Sequence, residues 1–492
     1  MRTNETGTEW KVFAALAALT LAVLMLVSPD SCLHHINDRY DSGWFLTCGR
    51  AWACGLAPYV DFADSKGPLL WLIYAAGYRL SPTDYLGVFW LSWLFYVATE
   101  WVCYLTARLF LPSRLQSATV AVLMFLAWFN PVFFNEVRCE DFCYLPQMLS
   151  LWATCRVLYG RRSSGRGALA AAAVVGFSTA LIAMMKFNIA AMNLVFAVVL
   201  LLDARRDRKE LLRRAGVMLL VSALTVVPMA LLLASMGSLS ACVDEYLVVT
   251  VVTTMEGQSA GVFLLEALRQ VGRWGSLTWL CLAVNFAGCV WFGLRQRRYR
   301  WFPAVVFLTC LSLTSLLARQ AHHFEALSFT MIFTAAAFFL TFRFGRRADV
   351  ALAVTVAVAA VVCATVQNFV SPNHHENFIT YDNDRLREYN YVAGVIDSVG
   401  EHPSLLCWQA GDVGLGTRGE ALPVFRHYVM QAGFTEAMYA EQDSVARTGS
   451  ADCVVIWKRN EPVFDATLRG AGYVKHTPPV ASPLWLVYTK KP

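Results

Sequence analysis

Charged residues able to move protons and bind phosphate are concentrated in two stretches of the sequence, each beside an apolar run. The first stretch contains Asp30, Asp38, Asp41, Asp61, Asp64 and Lys66. The second contains Arg138, Glu140 and Asp141. A carboxylate can accept the proton of a hydroxyl as that hydroxyl attacks, and cations stabilise a phosphate leaving group through charge-assisted hydrogen bonds. These residue types therefore favour a reaction in which a hydroxyl displaces a phosphate ester.

Further polar candidates lie in other short segments. They are Lys186 at the tip of a predicted helical hairpin, Arg319, His322, His323 and Glu325 in one loop, and Asp244, Glu245 and Glu256 in another. Each alone also has a structural explanation, because charges anchor helix ends, acidic residues favour helix amino termini and lysines extend toward water. Glu100 lies inside an apolar run, where an ionisable side chain is costly and needs a partner. The convergence of the set on one predicted face favours a functional role.

The composition indicates a protein that crosses a membrane several times. Of the 492 residues, 57% are hydrophobic and 15% are charged, whereas a soluble domain has about 25% charged residues. The net charge of +6 lies mostly in short loops, without the basic, aromatic-rich patch that a nucleic-acid partner requires. The 14 cysteines include no Cys-x-x-Cys pair, which argues against a structural zinc site. Cys48 with Cys54, and Cys139 with Cys143, are either disulfide pairs or free thiols.

Loop charges predict the topology. A spanning helix needs about 20 apolar residues, and lysine and arginine gather in cytoplasmic loops. Four basic loops are therefore placed inside, at 161–166, 205–214, 295–300 and 343–347. The predicted spans are 12–27 (a retained signal anchor), 86–105, 115–129, 144–158, 168–185, 189–202, 215–233, 277–294, 302–317, 326–342 and 350–366. The expected fold class is a polytopic α-helical membrane protein of about eleven transmembrane helices, with a cytoplasmic amino terminus.

Two further segments complete the predicted organisation. Residues 29–67 form an outer loop, and the apolar segment 68–80 is too short to cross, which predicts a re-entrant or interfacial helix on the outer face. Residues 1–370 make up the membrane domain, and the more polar segment 371–492 is predicted to be a small extracytoplasmic α/β domain. Short strands are expected at 405–408, 453–457 and 485–488.

The outer loop resembles the first outer loop of GT-C glycosyltransferases, the class that includes protein mannosyltransferases and lipid A aminoarabinose transferases. The family pattern is an acidic residue after the first span, then Gly-x-x-Pro-Tyr-x-Asp, then Lys-x-Pro-Leu opening a juxtamembrane helix. The corresponding residues are Asp41, then Gly55, Pro58, Tyr59 and Asp61, then Lys66, Pro68 and Leu69. The segment 140–146 resembles the acidic second outer loop of the family, and a soluble outer domain after the last span also fits. Ser42 departs from the Asp-Glu pair of many relatives, which leaves Asp41 as the main candidate base and Asp38 as a second one, and weakens the case for a metal held by an acidic pair.

The resemblance implies a cell-membrane glycosyltransferase with an extracytoplasmic active site. It would transfer a sugar from a polyprenyl-phosphate carrier, held among membrane lipids, to a lipid, glycan or protein acceptor, with inversion. Asp41 would be the general base, and Glu140 or Asp141 would orient acceptor or sugar, or help bind a cation if one is used. The donor phosphate would be bound from the pool Lys66, Arg138, Lys186, Arg319, His322 and His323, in which Lys186 and Arg319 rank highest. No metal ligand is assigned, although a divalent cation remains a candidate cofactor.

Two alternatives from other classes remain open. A flippase for lipid-linked sugars predicts internal repeats or charges near the bilayer midplane, and the sequence shows neither a repeat nor such a concentration of charge. An O-antigen polymerase or ligase is also polytopic but relies on arginine and histidine in one long outer loop. The segment 236–274 is long enough for such a loop, whereas the motif in 41–70 argues against it.

Overall fold

In a computed structural model, the residues described are 2–34, 37, 40–128, 138–160, 165–251, 259–273, 275–317, 328–342, 344–370, 384–430 and 434–490. The first helices are α1 (Arg2–Val27), α2 (Tyr40–Ala53), α3 (Pro68–Leu80), α4 (Leu86–Ala107), α5 (Arg114–Trp128), α6 (Cys139–Tyr159), α7 (Gly165–Ala183), α8 (Phe187–Asp203) and α9 (Arg208–Ser235). The short α10 (Leu239–Cys242) continues into a π-helical segment, Val243–Val249. The helices that follow are α11 (Ala260–Gly272), α12 (Ser276–Arg295), α13 (Phe302–Leu317), α14 (Met331–Thr341) and α15 (Arg346–Val370).

The helices confirm a polytopic membrane protein. Within the described residues, six segments are long and apolar enough to cross a bilayer: Glu9–Val27, Leu86–Ala107, Gly165–Ala183, Arg208–Ser235, Thr278–Arg295 and Arg346–Val366. Shorter apolar helices occupy Arg114–Ala127, Phe187–Asp203, Phe302–Leu316 and Met331–Thr341. The total of eleven spans and the orientation of the chain stay predictions.

Small residues let neighbouring helices approach closely. At Gly176 in α7, an added Cβ would lie 2.5 Å from the carbonyl oxygen of Met218 in α9. Ser222 of α9 donates to the carbonyl oxygen of Gly176 at 2.9 Å. Close approach of this kind strengthens helix packing in a bilayer, where lipid offers no hydrophobic driving force between helices.

Helix α3 begins at Pro68 and spans 13 residues. At 1.5 Å per residue its length is about 20 Å, shorter than the roughly 30 Å of hydrocarbon that a spanning helix must cross. Its buried aromatic residues pack on α2, with the ring of Trp71 5.5 Å and the ring of Tyr74 5.4 Å from that of Phe45. The position of α3 at the membrane surface remains a prediction.

A small α/β unit follows the helical bundle, as the sequence predicted. Its strands are β1 (Ser404–Cys407), β2 (Leu422–Pro423), β3 (Cys453–Trp457), β4 (Tyr473–His476) and β5 (Trp485–Lys490), in the order β2-β1-β3-β5-β4. Strands β2, β1 and β3 are parallel, and β5 and β4 are antiparallel additions. Its helices are α16 (Asp384–Asp397), α17 (Leu415–Arg418), α18 (Glu436–Thr448) and α19 (Glu461–Gly470). The predicted strands correspond to β1, β3 and β5, whereas the two-residue strand β2 and the strand β4 were not predicted.

Candidate active site

Asp41 lies in the first turn of α2, close to several of the charged residues proposed from the sequence. Its electrostatic neighbours are Lys66, Glu140, Asp64 and Lys186. These residues come from the α2–α3 loop, the start of α6 and the α7–α8 turn. The structure therefore brings together the predicted base, one predicted orienting carboxylate and two predicted phosphate-binding lysines. We call Asp41, Asp64, Lys66, Glu140 and Lys186 the Asp41 cluster.

Lys66 is fixed against the helix that carries Asp41. Its Nζ lies 3.2 Å from Oδ2 of Asp64, and the two side chains are 14% and 2% exposed. The same Nζ lies 5.6 Å from the ring centroid of Phe45 in α2. A lysine held by a buried carboxylate and an aromatic face keeps its charge at a defined position.

The residues of the Gly-x-x-Pro-Tyr-x-Asp pattern form a turn that supports the backbone of Lys66. Gly55 has a φ of +98° and Tyr59 has a φ of +66°, a region that residues other than glycine seldom adopt. The carboxylate of Asp61 accepts a hydrogen bond from the backbone N–H of Ala57 at 2.6 Å. The hydroxyl of Tyr59 donates to the carbonyl oxygen of Lys66 at 2.8 Å. These motif residues shape the loop, so their observed contacts are structural.

The turn between α7 and α8 fastens three parts of the site together. The backbone N–H of Gly67 donates to the carbonyl oxygen of Met185 at 2.8 Å, and that of Leu69 donates to the carbonyl oxygen of Met184 at 2.9 Å. The Sγ of Cys139, the first residue of α6, donates to the carbonyl oxygen of Met185 at 3.3 Å. The starts of α3, α6 and α8 therefore meet at this turn, which brings Lys66, Glu140 and Lys186 to one place.

Lys186 and Glu140 form an ion pair between two of these elements. Lys186 directly precedes α8 and donates to Oε1 of Glu140, the second residue of α6. Their side chains are 17% and 10% exposed. Both side chains therefore keep a small exposed fraction, larger for Lys186 than for Glu140.

Arg138 and Asp141 form a second pair at the start of α6. Oδ2 of Asp141 accepts the backbone N–H of Arg138 at 2.7 Å, and Oδ1 lies 3.8 Å from the Arg138 guanidinium. This contact satisfies a backbone donor at the helix start, where a carboxylate is also favoured by the helix dipole. The helix-stabilising explanation thus has direct support for Asp141.

The electrostatics of the Asp41 cluster suit a proton acceptor beside a permanent cation. Burial raises the pKa of the Asp41 carboxyl, Glu140 and Asp64 raise it further, and Lys66 and Lys186 oppose the shift. Asp41 as a whole residue is half-buried. Burial alone would lower the pKa of Lys66, but the carboxylates of Asp64, Asp41 and Glu140 outweigh that effect and raise it. Asp41 is consequently more basic than an ordinary aspartate, and Lys66 stays protonated.

The other residues proposed from the sequence either lie outside the described residues or have partners outside the Asp41 cluster. Asp38, Arg319, His322 and His323 lie outside the described residues. The carboxylate of Asp30 accepts from Nδ2 of Asn37 at 2.5 Å. Glu100 is buried between α1 and α4 and accepts a hydrogen bond from Thr20. All 14 cysteines, each of which the structure describes, are free thiols, including both candidate disulfide pairs.

The residues that sequence reasoning missed lie on the far side of α2. Thr47 and Arg50 are buried against the loop 412–417 of the α/β unit, and Asp412 in that loop is fully buried. A signal for this contact was present, since Arg50 interrupts an otherwise largely apolar helix. Its partner in the sequence was not identifiable, because Gly416 lies 366 residues further along the chain.

No metal-binding group is evident in the described part of the chain. No three His, Cys, Asp or Glu side chains converge there in a way that would hold an ion. The expectation that a divalent cation is a candidate cofactor is therefore untested.

A helical membrane bundle with Asp41 on its first loop helix, a short helix after it and an α/β unit at the end is the arrangement of this chain, and solved structures of the GT-C fold resemble it. ArnT from Cupriavidus metallidurans, solved bound to undecaprenyl phosphate, matches with a TM-score of 0.65 and 14% identity over 98% of both chains. The oligosaccharyltransferase of Archaeoglobus fulgidus in its apo form matches with a TM-score of 0.53 and 16% identity, over 98% of this chain and 74% of that one. The arabinofuranosyltransferase AftD from Mycobacteria matches with a TM-score of 0.55 and 16% identity, over 97% of this chain and 39% of that one.

At these identities the likeness establishes the fold, which confirms the predicted fold class. No protein-family model matches the sequence, and no curated protein matches it significantly.

Proposed function

We propose that the protein is a membrane glycosyltransferase that moves a sugar from a polyprenyl-phosphate carrier to an extracytoplasmic lipid, glycan or protein acceptor. The observation that carries this proposal is the Asp41 cluster, a carboxylate of raised pKa beside two lysines, within a GT-C fold. The undecaprenyl phosphate bound to ArnT from Cupriavidus metallidurans supports a lipid-phosphate carrier for a chain of similar fold.

The proposed reaction is a direct displacement at the anomeric carbon. Asp41 accepts the proton of the acceptor hydroxyl as its oxygen bonds to that carbon, and the bond from the carbon to the phosphate oxygen breaks. The electron pair leaves on the polyprenyl phosphate, whose added negative charge is stabilised by Lys66 and Lys186. One displacement inverts the configuration, because the acceptor enters opposite the departing phosphate.

The two lysines differ in how they would meet the donor. Lys66 is held by Asp64, which is almost fully buried and stays in place. Lys186 is held by Glu140, whose side chain is more accessible. We therefore assign Lys66 to fixed charge stabilisation and Lys186 to direct capture of the phosphate. Glu140 is then the better candidate of the two α6 carboxylates for orienting acceptor or sugar, because Asp141 already caps the helix.

Arg138 completes the described cations proposed for the donor. Its side chain is 9% exposed and lies at the start of α6, beside Glu140. It would contribute positive potential near the phosphate rather than a primary contact. Arg319, His322 and His323 stay in the candidate pool.

The experiment that tests the function is a transfer assay in proteoliposomes. The purified protein is supplied with a panel of polyprenyl-phosphate sugars of both anomeric configurations and with lipid, glycan and peptide acceptors. We expect one donor to yield a product of opposite anomeric configuration with stoichiometric release of polyprenyl phosphate. The assay is run with and without a chelator to test whether a divalent cation is needed. Absence of transfer from every donor, or retention of configuration, would contradict the proposal.

A further inference from the structure

One face of α2 is committed to the α/β unit, opposite the face that carries Asp41. Gly43, Thr47 and Arg50 recur at intervals of four and three residues, so they line one side of the helix. At about 100° per residue, this stripe lies roughly opposite Asp41 and Phe45. Helix α2 is therefore held between the Asp41 cluster on one side and the α/β unit on the other.

The fit between this stripe and the loop 412–417 leaves little freedom. A Cβ at Gly43 would lie 2.7 Å from the backbone nitrogen of Gly414 and 2.8 Å from the carbonyl oxygen of Asp412. The hydroxyl of Thr47 donates to Oδ2 of Asp412 at 2.8 Å. A glycine at direct backbone contact and a buried hydrogen bond one turn later fix both the spacing and the rotation of α2.

Arg50 joins three segments at the far end of the stripe. Its side chain is 1% exposed. It donates to the carbonyl oxygens of Gly416 at 3.1 Å and Thr417 at 2.8 Å in the α/β unit, and of Pro82 at 3.1 Å in the α3–α4 loop. The ring of Tyr78 lies 5.2 Å from the guanidinium carbon. A buried cation is tolerated only when it is hydrogen-bonded, and carbonyl oxygens of the α/β unit supply two of these hydrogen bonds.

The loop 412–417, which packs on Gly43, Thr47 and Arg50, is held by hydrogen bonds of its own. The carboxylate of Asp412 also accepts the backbone N–H of Gly416 at 3.0 Å and the hydroxyl of Tyr428 at 3.2 Å. The same carboxylate therefore closes its own loop, ties it to a neighbouring segment and binds α2. A preorganised partner of this kind can set the position of a helix, whereas a flexible one would follow it.

We propose that the α/β unit is the support that orients α2 for catalysis, and that Arg50 is a positioning residue acting through Asp41. This role rests on the proposed glycosyl transfer, and it differs from acceptor recognition or from simple covering of the site. Lys66 and Lys186 are fastened to the α7–α8 turn as well, so a change in the stripe should affect the position of Asp41 more than donor binding.

The first test compares Arg50→Met, Arg50→Lys and wild type in the transfer assay, normalised to folded protein. Misplacing a reacting group by about 1 Å can cost about 100-fold in rate. We therefore expect Arg50→Met to lower kcat at least tenfold with the donor KM within about twofold, and Arg50→Lys to recover part of the loss. The matched control is Arg469→Met, which removes an arginine of the α/β unit that is 58% exposed and should leave kcat unchanged. An unchanged kcat per folded Arg50→Met molecule, or a defect confined to KM, would overturn the proposal.

The second test does not require activity. A protease site is placed between Arg346–Val370 and Asp384–Asp397, the chain is cut in detergent, and co-purification of the two parts is measured. We expect the wild-type parts to stay together and the Thr47→Val, Arg50→Met double variant to lose part of this retention, because Arg426 and His427 still pair with Glu245. Separation of the wild-type parts would contradict the support role. If the cut wild-type parts stay together but no donor supports transfer, the proposed function is wrong, while the contact between α2 and the α/β unit is still supported.

Discussion

Asp41 lies near two lysines and two other carboxylates. Its pKa therefore depends on opposing electrostatic effects, and a single substitution can change it. Burial and the neighbouring carboxylates favour the protonated form, and Lys66 and Lys186 favour the charged form. A general base acts only when deprotonated, so catalysis should fall as the pH drops through the pKa of this group.

Removing a cation and removing an anion from the Asp41 cluster should have opposite effects on the pH profile of kcat/KM. The effect is seen in the acid limb, the range in which kcat/KM falls as the pH drops. Lys66→Met deletes a cation that lowers the pKa of Asp41, so the limb should move to higher pH. Glu140→Gln deletes an anion that raises it and leaves Lys186 without its carboxylate, so the limb should move to lower pH. The measurement is the pH profile of kcat/KM, which reports the free enzyme. Shifts in the same direction, or none, would show that Asp41 does not control the limb.

At the scale of elements, the α7–α8 turn decides whether the separate charges form one site. Its carbonyl oxygens accept from the Lys66 loop and from the start of α6. Gly67 is required there, because an added Cβ would lie 2.2 Å from the carbonyl oxygen of Met184.

Gly67→Ala should therefore displace the Lys66 loop and lose both backbone hydrogen bonds to the turn. We expect a loss of stability of about 1–3 kcal/mol, in line with other steric clashes in packed regions, and a rise in donor KM. The control is Gly216→Ala in α9, where a Cβ meets open space and helix propensity improves. Thermal unfolding in detergent and donor titration measure both effects. Equal behaviour of the two variants would argue against the fastening role of the turn.

The local chemistry of the site could be predicted from the sequence, whereas the contacts that assemble it could not. The charge types and the Pro-Tyr-x-Asp and Lys-x-Pro-Leu patterns singled out Asp41 and Lys66, and the short apolar run predicted α3. The link from Gly67 to Met185 joins main-chain atoms, which leave no side-chain signature. The burial of Arg50 against carbonyl oxygens of a remote loop was equally unreadable, because any residue supplies such an acceptor.

In the whole molecule, the proposed function requires the Asp41 cluster and the α/β unit to lie on one side of the membrane. The contacts of α2 with the loop 412–417 already place them together. The positive loops predict that this side is extracytoplasmic.

Reporter fusions test that orientation directly. Alkaline phosphatase, which is active only outside the cytoplasm, should be active when fused after Lys490 and inactive when fused after Arg206, within a basic loop. Green fluorescent protein at the same two sites provides the opposite readout. The reverse pattern would place the site in the cytoplasm and remove the basis for a lipid-linked donor on the outer face.

The central claim, that Asp41 is the base of a glycosyl transfer, is tested most directly by Asp41→Asn in reconstituted protein. Asparagine keeps the shape of the side chain but cannot accept the proton, and general base catalysis contributes about 100-fold to 10,000-fold. We predict a loss of kcat of that size with donor binding retained, and no loss in the control Asp384→Asn, whose side chain is 58% exposed. Transfer by folded Asp41→Asn protein at near the wild-type rate would show that Asp41 is not the base.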